Sequence, residues 1–202
     1  MNWKLALIPV IAYFLGAIPF GYVFVRMRLG RDIRATGSGN IGATNVSRSL
    51  GGFWGLLTLA LDAAKGYFAL WVAAWLSRGD ERWMVLAALA VILGHMFPVF
   101  LGFKGGKGVA TGAGAYGYVS PKALLTVLLL WLVVVAIWRY VSLGSILATA
   151  AFPVFAYQYE RPPVLVALGL VVGASLIILR HHMNIAHLVA GTESRLQLRK
   201  RP

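Results

Sequence analysis

Long apolar segments are the feature that most constrains the fold of this 202-residue chain. Hydrophobic residues make up 59% of it and charged residues only 12%, whereas about 25% of an ordinary soluble domain is charged. A helix crosses a bilayer with about 20 apolar residues, while a membrane barrel needs short segments of alternating polarity. The sequence has the first pattern, so it predicts an all-α, polytopic membrane helix bundle.

Seven apolar segments are predicted to be membrane spans. They cover residues 5–25, 53–76, 83–101, 109–119, 123–138, 143–157 and 164–179. The fourth is too short to cross about 30 Å of hydrocarbon as a straight helix, so we expect a short broken segment buried beside a polar cavity. If it does not cross, the spans number six and the carboxyl tail changes sides. No repeat or linker divides the chain, which is predicted to be a single integral membrane domain over residues 1–202.

The basic residues predict the orientation. Positive charge follows the first apolar segment, from Arg26 to Arg34, whereas a cleaved signal peptide carries it in front. We therefore expect the amino terminus outside and the carboxyl terminus in the cytoplasm. Thirteen of the 19 lysines and arginines then lie at the cytoplasmic side, as the positive-inside rule requires. The net charge of +13 is thus assigned to membrane orientation, and no nucleic-acid partner is predicted.

Three polar segments would share the cytoplasmic face, and the first covers residues 37–51. It combines glycines with Ser38, Asn40, Thr44, Asn45 and Arg48. Backbone N–H groups, hydroxyls and a guanidinium are the groups that bind an oxyanion. The alternative is that Ser38 or Asn40 only caps a helix that continues into the second span. The nearest acid is Asp32, which disfavours a metal site.

The second polar segment covers residues 94–111. Lys104 and Lys107 lie among Gly105 and Gly106, a basic turn that could approach a phosphate with both ammonium and backbone groups. The Walker A pattern is not met, so nucleotide hydrolysis is not predicted. The alternative is a positive-inside loop that anchors the bundle. His95 could be a ligand or base, although a single histidine at a helix end is more often structural.

The third polar segment covers residues 181–193. His181 and Asn184 are three residues apart and would share a helix face, and Glu193 is the only acid in the tail. These groups could bind hydroxyls or orient a phosphate, or they could belong to an interfacial helix with its polar side in water. His182 and His187 are interpreted as incidental.

Further polar groups lie at or inside the spans. Asp62 and Lys65 are each other's expected partner in the second span, either as a structural ion pair or in contact with substrate. Ser142, at the start of the sixth span, either lines the site or caps its helix. The absence of cysteine removes thiol nucleophiles and thiolate zinc sites, and no hydrolase or zinc-protease pattern is present. A covalent acyl-enzyme and a metal are therefore not predicted.

Taken together, SGNIGATN with Arg48, GHMFPVFLGFKGGKGVAT and HHMNIAHLVAGTE resemble the three signature segments of the bacterial acyl-phosphate:glycerol-3-phosphate acyltransferase family. The resemblance covers essentially the whole chain, including its size and the LDAAKG segment. One position departs from the family pattern, because His187 stands where an arginine is usual, and no binding role is assigned to it.

The resemblance implies transfer of a fatty acyl group from acyl phosphate to the 1-hydroxyl of glycerol 3-phosphate, with lysophosphatidic acid and phosphate as products. This is the entry step of phospholipid biosynthesis, performed without a cofactor in the cell inner membrane, with the active site at its cytoplasmic face. The predicted partners are the two substrates and membrane lipid.

The predicted site residues follow from the chemistry of two phosphates. The predicted phosphate-binding and substrate-binding groups are Ser38, Asn40, Thr44, Asn45, Arg48, Lys104, Gly105, Gly106, Lys107, Ser142, Asn184 and Glu193. Ser38, His181 and Asn184 are the predicted catalytic residues, with His181 or the leaving phosphate itself as the base. Acyl phosphate is already activated, so positioning and stabilisation of the leaving group suffice.

Two other functional classes use the same features. A small transporter for an anionic metabolite would also need basic glycine-rich loops and a broken helix, although no internal repeat supports it. A structural membrane subunit would explain the spans but not the three polar segments.

Overall fold

The computed structural model describes residues 3–196. These residues form α-helices joined by short turns and contain no β-strand, which confirms the all-α prediction. The helices are α1 (Leu7–Ala17), α2 (Phe20–Leu29), α3 (Ala43–Leu50), α4 (Gly52–Ser77), α5 (Glu81–Met96), α6 (Val109–Val119), α7 (Pro121–Trp138), α8 (Val141–Glu160), α9 (Val164–Leu179) and α10 (His182–Val189). Short 3-10 turns occupy Trp3–Ala6, Ile33–Ala35 and Val99–Leu101.

Five helical segments are long and apolar enough to cross a membrane. They are Lys4–Leu29, Gly52–Ser77, Glu81–Leu101, Pro121–Trp138 and Val141–Glu160. A sixth is reached if α9 and α10, which meet at a bend of 58°, form one span. The predicted seven spans are therefore not confirmed, because α6 has only 11 residues and a straight helix rises about 1.5 Å per residue. The short fourth segment itself is present with the predicted bounds.

The chain divides into two compact units, Met1–Val119 and Ser120–Pro202. The prediction of one domain over residues 1–202 stays a prediction. Within the first unit, α4 packs closely on α6 because both helices carry glycine at the contact. A methyl group at Gly66 would overlap the carbonyl oxygen of Thr111, and one at Gly114 would overlap that of Ala63. Small residues allow helix backbones to approach in this way.

The first span of this unit is broken between α1 and α2. Pro19 has no N–H and disfavours helical geometry at the residue before it, and Ile18 is correspondingly extended. The break frees the Ile18 carbonyl oxygen, which accepts a hydrogen bond from Lys65 Nζ at 2.8 Å. A broken helix is tolerated inside a membrane protein when its backbone groups find such partners.

The second unit contains α7 to α10. Ser120 Oγ caps α7 by accepting from the N–H of Ala123 at 3.3 Å, and Pro121 occupies the first helical position, where its missing N–H costs nothing. Gly144 of α8 lies against Trp131 and Val135 of α7. The turn at 180–181 separates α9 from the short α10.

Candidate functional site

In the first unit, residues 30–42 form a loop, hereafter the first loop, that is organised around the side chain of Asn45. The Asn45 amide is 1% exposed. Its Nδ2 donates to the carbonyl oxygens of Ile33 at 3.3 Å, Thr36 at 3.0 Å and Asn40 at 2.9 Å. Its Oδ1 accepts from the N–H of Ser38 at 3.2 Å. The donors and the acceptor of this amide are thus used by the backbone, so Asn45 fixes the shape of the first loop.

The first loop is also held by a small apolar core. Val25, Ile33, Ile41 and Val46 are buried together, and this cluster joins the end of α2 to α3. Above it the polar groups are presented outward: the side chains of Ser38 and Arg48 are exposed and that of Thr44 is half-buried.

Asn40 closes the first loop at the start of α3. Its Oδ1 accepts from the N–H of Gly42 at 2.8 Å, in the manner of an Asx turn. Because the first N–H groups of an α-helix have no partner within the helix, the opening turn of α3 is a local source of donors for an anion.

Arg34 connects the first loop to the loop formed by residues 97–108, hereafter the second loop. Its guanidinium pairs with both carboxylate oxygens of Asp32, with the shortest distance of 2.7 Å at Nη2. Nη1 donates to the carbonyl oxygen of Leu101 at 2.8 Å, and the group lies 5.4 Å from the centre of the Tyr22 ring. Arg34 holds the pKa of the Asp32 carboxyl below its usual range, so Asp32 stays ionised and the clamp persists near neutral pH.

The second loop turns back on the end of α5. The N–H of Gly105 donates to the carbonyl oxygen of Met96 at 3.1 Å, and the N–H of Gly106 donates to that of His95 at 3.0 Å. These two N–H groups are therefore used within the protein. Lys104 is exposed and Lys107 is half-buried, so the ammonium groups on either side of the glycine pair differ in their environment.

A buried charged group lies beside the second loop. Asp62 and Lys65 of α4 form an ion pair of 2.8 Å, and Lys65 Nζ lies 3.1 Å from His95 Nδ1. The expected pairing of Asp62 with Lys65 is confirmed. The addition of His95 was not foreseen, because the histidine belongs to a different helix.

In the second unit, the predicted residues converge on Glu193. Its Oε1 accepts from Ser142 Oγ at 2.6 Å and from Asn184 Nδ2 at 2.8 Å. Oε2 lies 3.6 Å from Nδ1 of His187. Through these hydrogen bonds Glu193 connects the residues after α10 to the starts of α8 and α10. The bond to Asn184 also orients the Asn184 amide.

His181 is buried at the start of α10, with 2% of its surface exposed. Its Nδ1 lies 2.8 Å from the carbonyl oxygen of Ile177. A carbonyl can only accept, so Nδ1 carries a proton, and in the neutral imidazole Nε2 then carries the lone pair. This tautomer is the one a general base requires.

The sequence did not predict the structural role of Arg34 in the first and second loops. Arg34 was interpreted only as a charge that sets membrane orientation, although the Asp-x-Arg spacing of Asp32 and Arg34 was visible. The carboxyl end of the described chain is tied down by Arg195, whose Nε donates to Tyr140 at 3.1 Å. Among residues 3–196, no group of three or more histidines, aspartates or glutamates could hold a metal ion.

A helical membrane protein whose polar loops carry cations, glycine turns and a base-competent imidazole has the chemical equipment of an integral membrane transferase that handles phosphorylated substrates. The family model described as glycerol-3-phosphate acyltransferase matches residues 6–191, and the chain belongs to that family. The resemblance found in the three polar segments is thereby confirmed.

Relatives and solved structures agree with this assignment. The chain is 48% identical to a glycerol-3-phosphate acyltransferase of Geobacter sulfurreducens over 191 residues, which cover 95% of this chain and 97% of the relative. It is 45% identical to that of Aquifex aeolicus over 193 residues, covering 95% and 99% of the two chains. Two crystal structures of PlsY (YgiH), an integral membrane glycerol 3-phosphate acyltransferase, are similar to it.

The two structures are the glycerol 3-phosphate form and the lysophosphatidic acid form. The TM-scores are 0.91 and 0.88 at 44% and 42% identity, and each match covers 96% of both chains. The protein is thus an integral membrane acyltransferase of this family, and a part in phospholipid biosynthesis follows from the activity.

Proposed function

We propose that the chain transfers a fatty acyl group from acyl phosphate to the 1-hydroxyl of glycerol 3-phosphate. The hydroxyl oxygen forms an ester bond with the acyl carbonyl carbon, the bond from that carbon to the phosphate oxygen breaks, and the hydroxyl proton passes to a base. The products are lysophosphatidic acid and inorganic phosphate. The observation that carries the proposal is the family match over residues 6–191, in a chain whose polar loops carry cations suited to phosphates.

The positive charge for the two phosphates is assigned to Arg48, Lys104 and Lys107. Arg48 lies at the end of α3 and the two lysines flank the glycine pair of the second loop. Charge-assisted hydrogen bonds from such groups are stronger than neutral ones. The hydroxyls of Ser38 and Thr44 and the opening turn of α3 add directional donors.

Several predicted ligands are assigned a shaping role instead. Asn45 is occupied by the backbone of the first loop, and the N–H groups of Gly105 and Gly106 are donated to carbonyls. Glu193 would repel a phosphate as a carboxylate, and it already binds Asn184. We therefore assign these residues to the geometry of the site, with Asn40 as the cap of α3 and Ser142 as a partner of Glu193.

The base is assigned to His181, with the oxygen of the leaving phosphate as the alternative. The contact of Nδ1 with the Ile177 carbonyl oxygen places the proton on Nδ1, so Nε2 is the ring atom that would accept the hydroxyl proton. A pH profile distinguishes the two candidates: if His181 is the base, His181→Gln loses most turnover and the remaining activity no longer depends on an imidazole titration. If phosphate is the base, His181→Gln keeps the wild-type profile.

The proposed topology keeps the seven spans, the outside amino terminus, the cytoplasmic carboxyl terminus and the cytoplasmic active site. The chain has no cysteine, so single cysteines report sidedness directly. Glu81 and Arg31 are both exposed and lie on opposite sides in this topology. A membrane-impermeant maleimide added to intact cells should label Glu81→Cys and not Arg31→Cys, and the reverse would overturn the orientation.

The reaction is tested with purified protein, labelled glycerol 3-phosphate and palmitoyl phosphate. Lysophosphatidic acid and phosphate should appear in equal amounts, and palmitoyl-CoA should not replace the acyl phosphate. Arg48→Ala, Lys104→Ala and Asn184→Ala should each lose most turnover while still inserting into the membrane, with Ser175→Ala as a control because its hydroxyl bonds only its own helix. A folded wild-type protein that forms neither product contradicts the proposal, and uptake of the labelled substrate without chemical change would point to a transporter.

A further inference from the structure

Asp62, Lys65 and His95 form a buried charged group that the proposed reaction does not use. Their exposed fractions are 3%, 5% and 4%, and two of them lie in the middle of α4, a helix long and apolar enough to span a membrane. Charged residues inside a membrane protein are costly and are retained where they serve function. A hydrophobic replacement of a buried ion pair is often neutral or stabilising, so stability alone does not account for the group.

Three acceptor atoms lie close to the Lys65 ammonium group. It lies 2.8 Å from Asp62 Oδ1, 2.8 Å from the Ile18 carbonyl oxygen and 3.1 Å from His95 Nδ1. An ammonium has three N–H donors and no acceptor. The contact with Asp62 is an ion pair, and those with Ile18 and His95 are hydrogen bonds. An ammonium can only donate, so His95 Nδ1 accepts from it.

This geometry fixes the tautomer of His95. A protonated Nδ1 would place a second donor opposite the ammonium, and the alternative acceptor, Asp62 Oδ1, is 3.6 Å away, too far for a hydrogen bond. A neutral Lys65 could accept from a protonated His95, but the cation of Asp62 would then be an imidazolium at 3.6 Å in place of an ammonium at 2.8 Å, which is a weaker pairing. The consistent state is ionised Asp62, ionised Lys65 and neutral His95 with its proton on Nε2.

The Nε2 edge of the imidazole lies against the second loop. A methyl group at Gly106 would overlap Nε2 of His95, and the three atoms nearest to that methyl group all belong to the His95 ring. The N–H of Gly106 also donates to the His95 carbonyl oxygen at 3.0 Å. The ring and the backbone of one residue therefore both contact the glycine pair between Lys104 and Lys107.

We propose that Lys65, neutralised by Asp62, holds His95 as the Nε2–H tautomer and that the oriented imidazole sets the Gly105–Gly106 turn from which Lys104 and Lys107 bind substrate phosphate. His95 and Lys65 are positioning residues, since they act through the second loop. The inference rests on the proposed function for its kinetic consequence and on geometry for the tautomer.

The tautomer is tested without any activity measurement. ¹⁵N-histidine NMR of the wild-type protein in detergent should show one of the four histidines with an unprotonated Nδ1 and a protonated Nε2, in contrast to the Nδ1–H of His181. The resonance is assigned by its loss in His95→Gln and its presence in His182→Gln and His187→Gln. In Lys65→Met the Nδ1 acceptor loses its donor, and the resonance should shift. A wild-type His95 with a protonated Nδ1 overturns the inference.

The contact with the second loop is tested by a double-mutant cycle. Gly106→Ala in the wild-type background should lower kcat/KM at least about 30-fold, because its methyl group meets the imidazole, whereas in the His95→Ala background the same change should cost less than about threefold. Equal costs in both backgrounds overturn the contact.

The KM and kcat values of a Lys65 variant distinguish a positioning role of this residue from a general loss of folding. Lys65→Met should raise KM for at least one of the two substrates about tenfold or more, with a smaller change in kcat. Thr58→Val is the matched control, because Thr58 is buried on the same helix and its hydroxyl bonds only the carbonyl oxygen of Trp54 at 2.8 Å. Unchanged KM values in a folded Lys65→Met protein overturn the inference, whereas an inactive wild type would overturn the proposed function and leave the NMR result standing.

Discussion

Replacement of Asn45 should open the first loop without unfolding the helices. Asn45→Ala removes the amide that accepts from the N–H of Ser38 and donates to three carbonyl oxygens of residues 33–40. An amide nitrogen has two N–H donors, so these contacts amount to about three hydrogen bonds, and at about 1 kcal/mol net for each bond the upper value is about 3 kcal/mol. Water can reach the loop once it opens, so we expect about 2–3 kcal/mol. That free energy corresponds to a change of about 30- to 150-fold in the equilibrium between ordered and open loop.

Asn45→Asp sharpens this prediction because it keeps the shape of the side chain. The new carboxylate oxygen would face the three carbonyl oxygens that now accept from Nδ2, and the side chain is 1% exposed. An unpaired buried charge is more costly than a missing hydrogen bond. Asn45→Asp should therefore be at least as damaging as Asn45→Ala, although it changes fewer atoms.

Two measurements check the Asn45 variants. Trypsin should cleave after the exposed Arg31 faster than in the wild type, and kcat/KM should fall by the same order as the loop opening, while the thermal unfolding midpoint in detergent changes little. Ser77→Ala is the control, because its hydroxyl bonds only the Ala73 carbonyl oxygen of its own helix. A folded Asn45→Asp protein with wild-type cleavage and kcat/KM would refute the assignment of this side chain to loop structure.

Three further predictions concern other parts of the structure. Glu193→Gln keeps an acceptor for both partners but loses the charge, so kcat/KM should fall about 30-fold, for about 2 kcal/mol, and Glu193→Ala should lose more. Wild-type kcat/KM in Glu193→Gln would show that the charge does not matter. The lowered pKa of Asp32, caused by Arg34, means that the pair stabilises the folded state at any pH above the unfolded pKa of about 3.9 and is lost as pH falls through the lower folded value. The difference in unfolding midpoint between wild type and Asp32→Asn should therefore be constant from about pH 7 to pH 5 and shrink below about pH 4. Gly114→Ala should destabilise the first unit by about 1–3 kcal/mol, because its methyl group would overlap the backbone of Ala63. Gly52→Ala is the control, because its methyl group would have no neighbour within 4 Å. Thermal unfolding should show a lower midpoint for Gly114→Ala and an unchanged midpoint for Gly52→Ala.

The apolar segments could be predicted because a membrane helix is defined by length and hydrophobicity alone. The fourth and seventh segments have the bounds of α6 and α9. The other segments lie within the five long candidate spans, the first of which is interrupted between α1 and α2. Length and hydrophobicity do not settle the number of spans. Whether the 11-residue α6 lies inside the membrane depends on the protein groups that surround its ends. The broken first span is a similar case: Pro19 was visible, but its partner Lys65 lies in another helix.

The polar segments were identified by residue type, and residue type alone does not separate a ligand from a support. Asn45 and Asn184 are both amides in such segments. The Asn45 amide donates to backbone carbonyl oxygens, whereas the Asn184 amide donates to a carboxylate oxygen of Glu193. The difference depends on contacts between residues that are distant in sequence, which spacing does not reveal.

Charge gives a physical criterion for distinguishing residues that bind phosphate from residues that support the loops. Binding of two phosphates is favoured by cations and opposed by carboxylates, so we expect the acids of such a protein to bind other groups. Asp32 binds Arg34, Asp62 binds Lys65 and Glu193 binds Ser142 and Asn184. In each case the carboxylate orders a donor of the protein itself, which is consistent with the proposed assignment of the phosphate-binding charge to Arg48, Lys104 and Lys107. The same criterion explains why Arg34, although basic and close to the first polar segment, belongs with the supports: its guanidinium is committed to Asp32 and the Leu101 carbonyl oxygen, so Arg34→Lys should loosen the first and second loops rather than remove a phosphate contact.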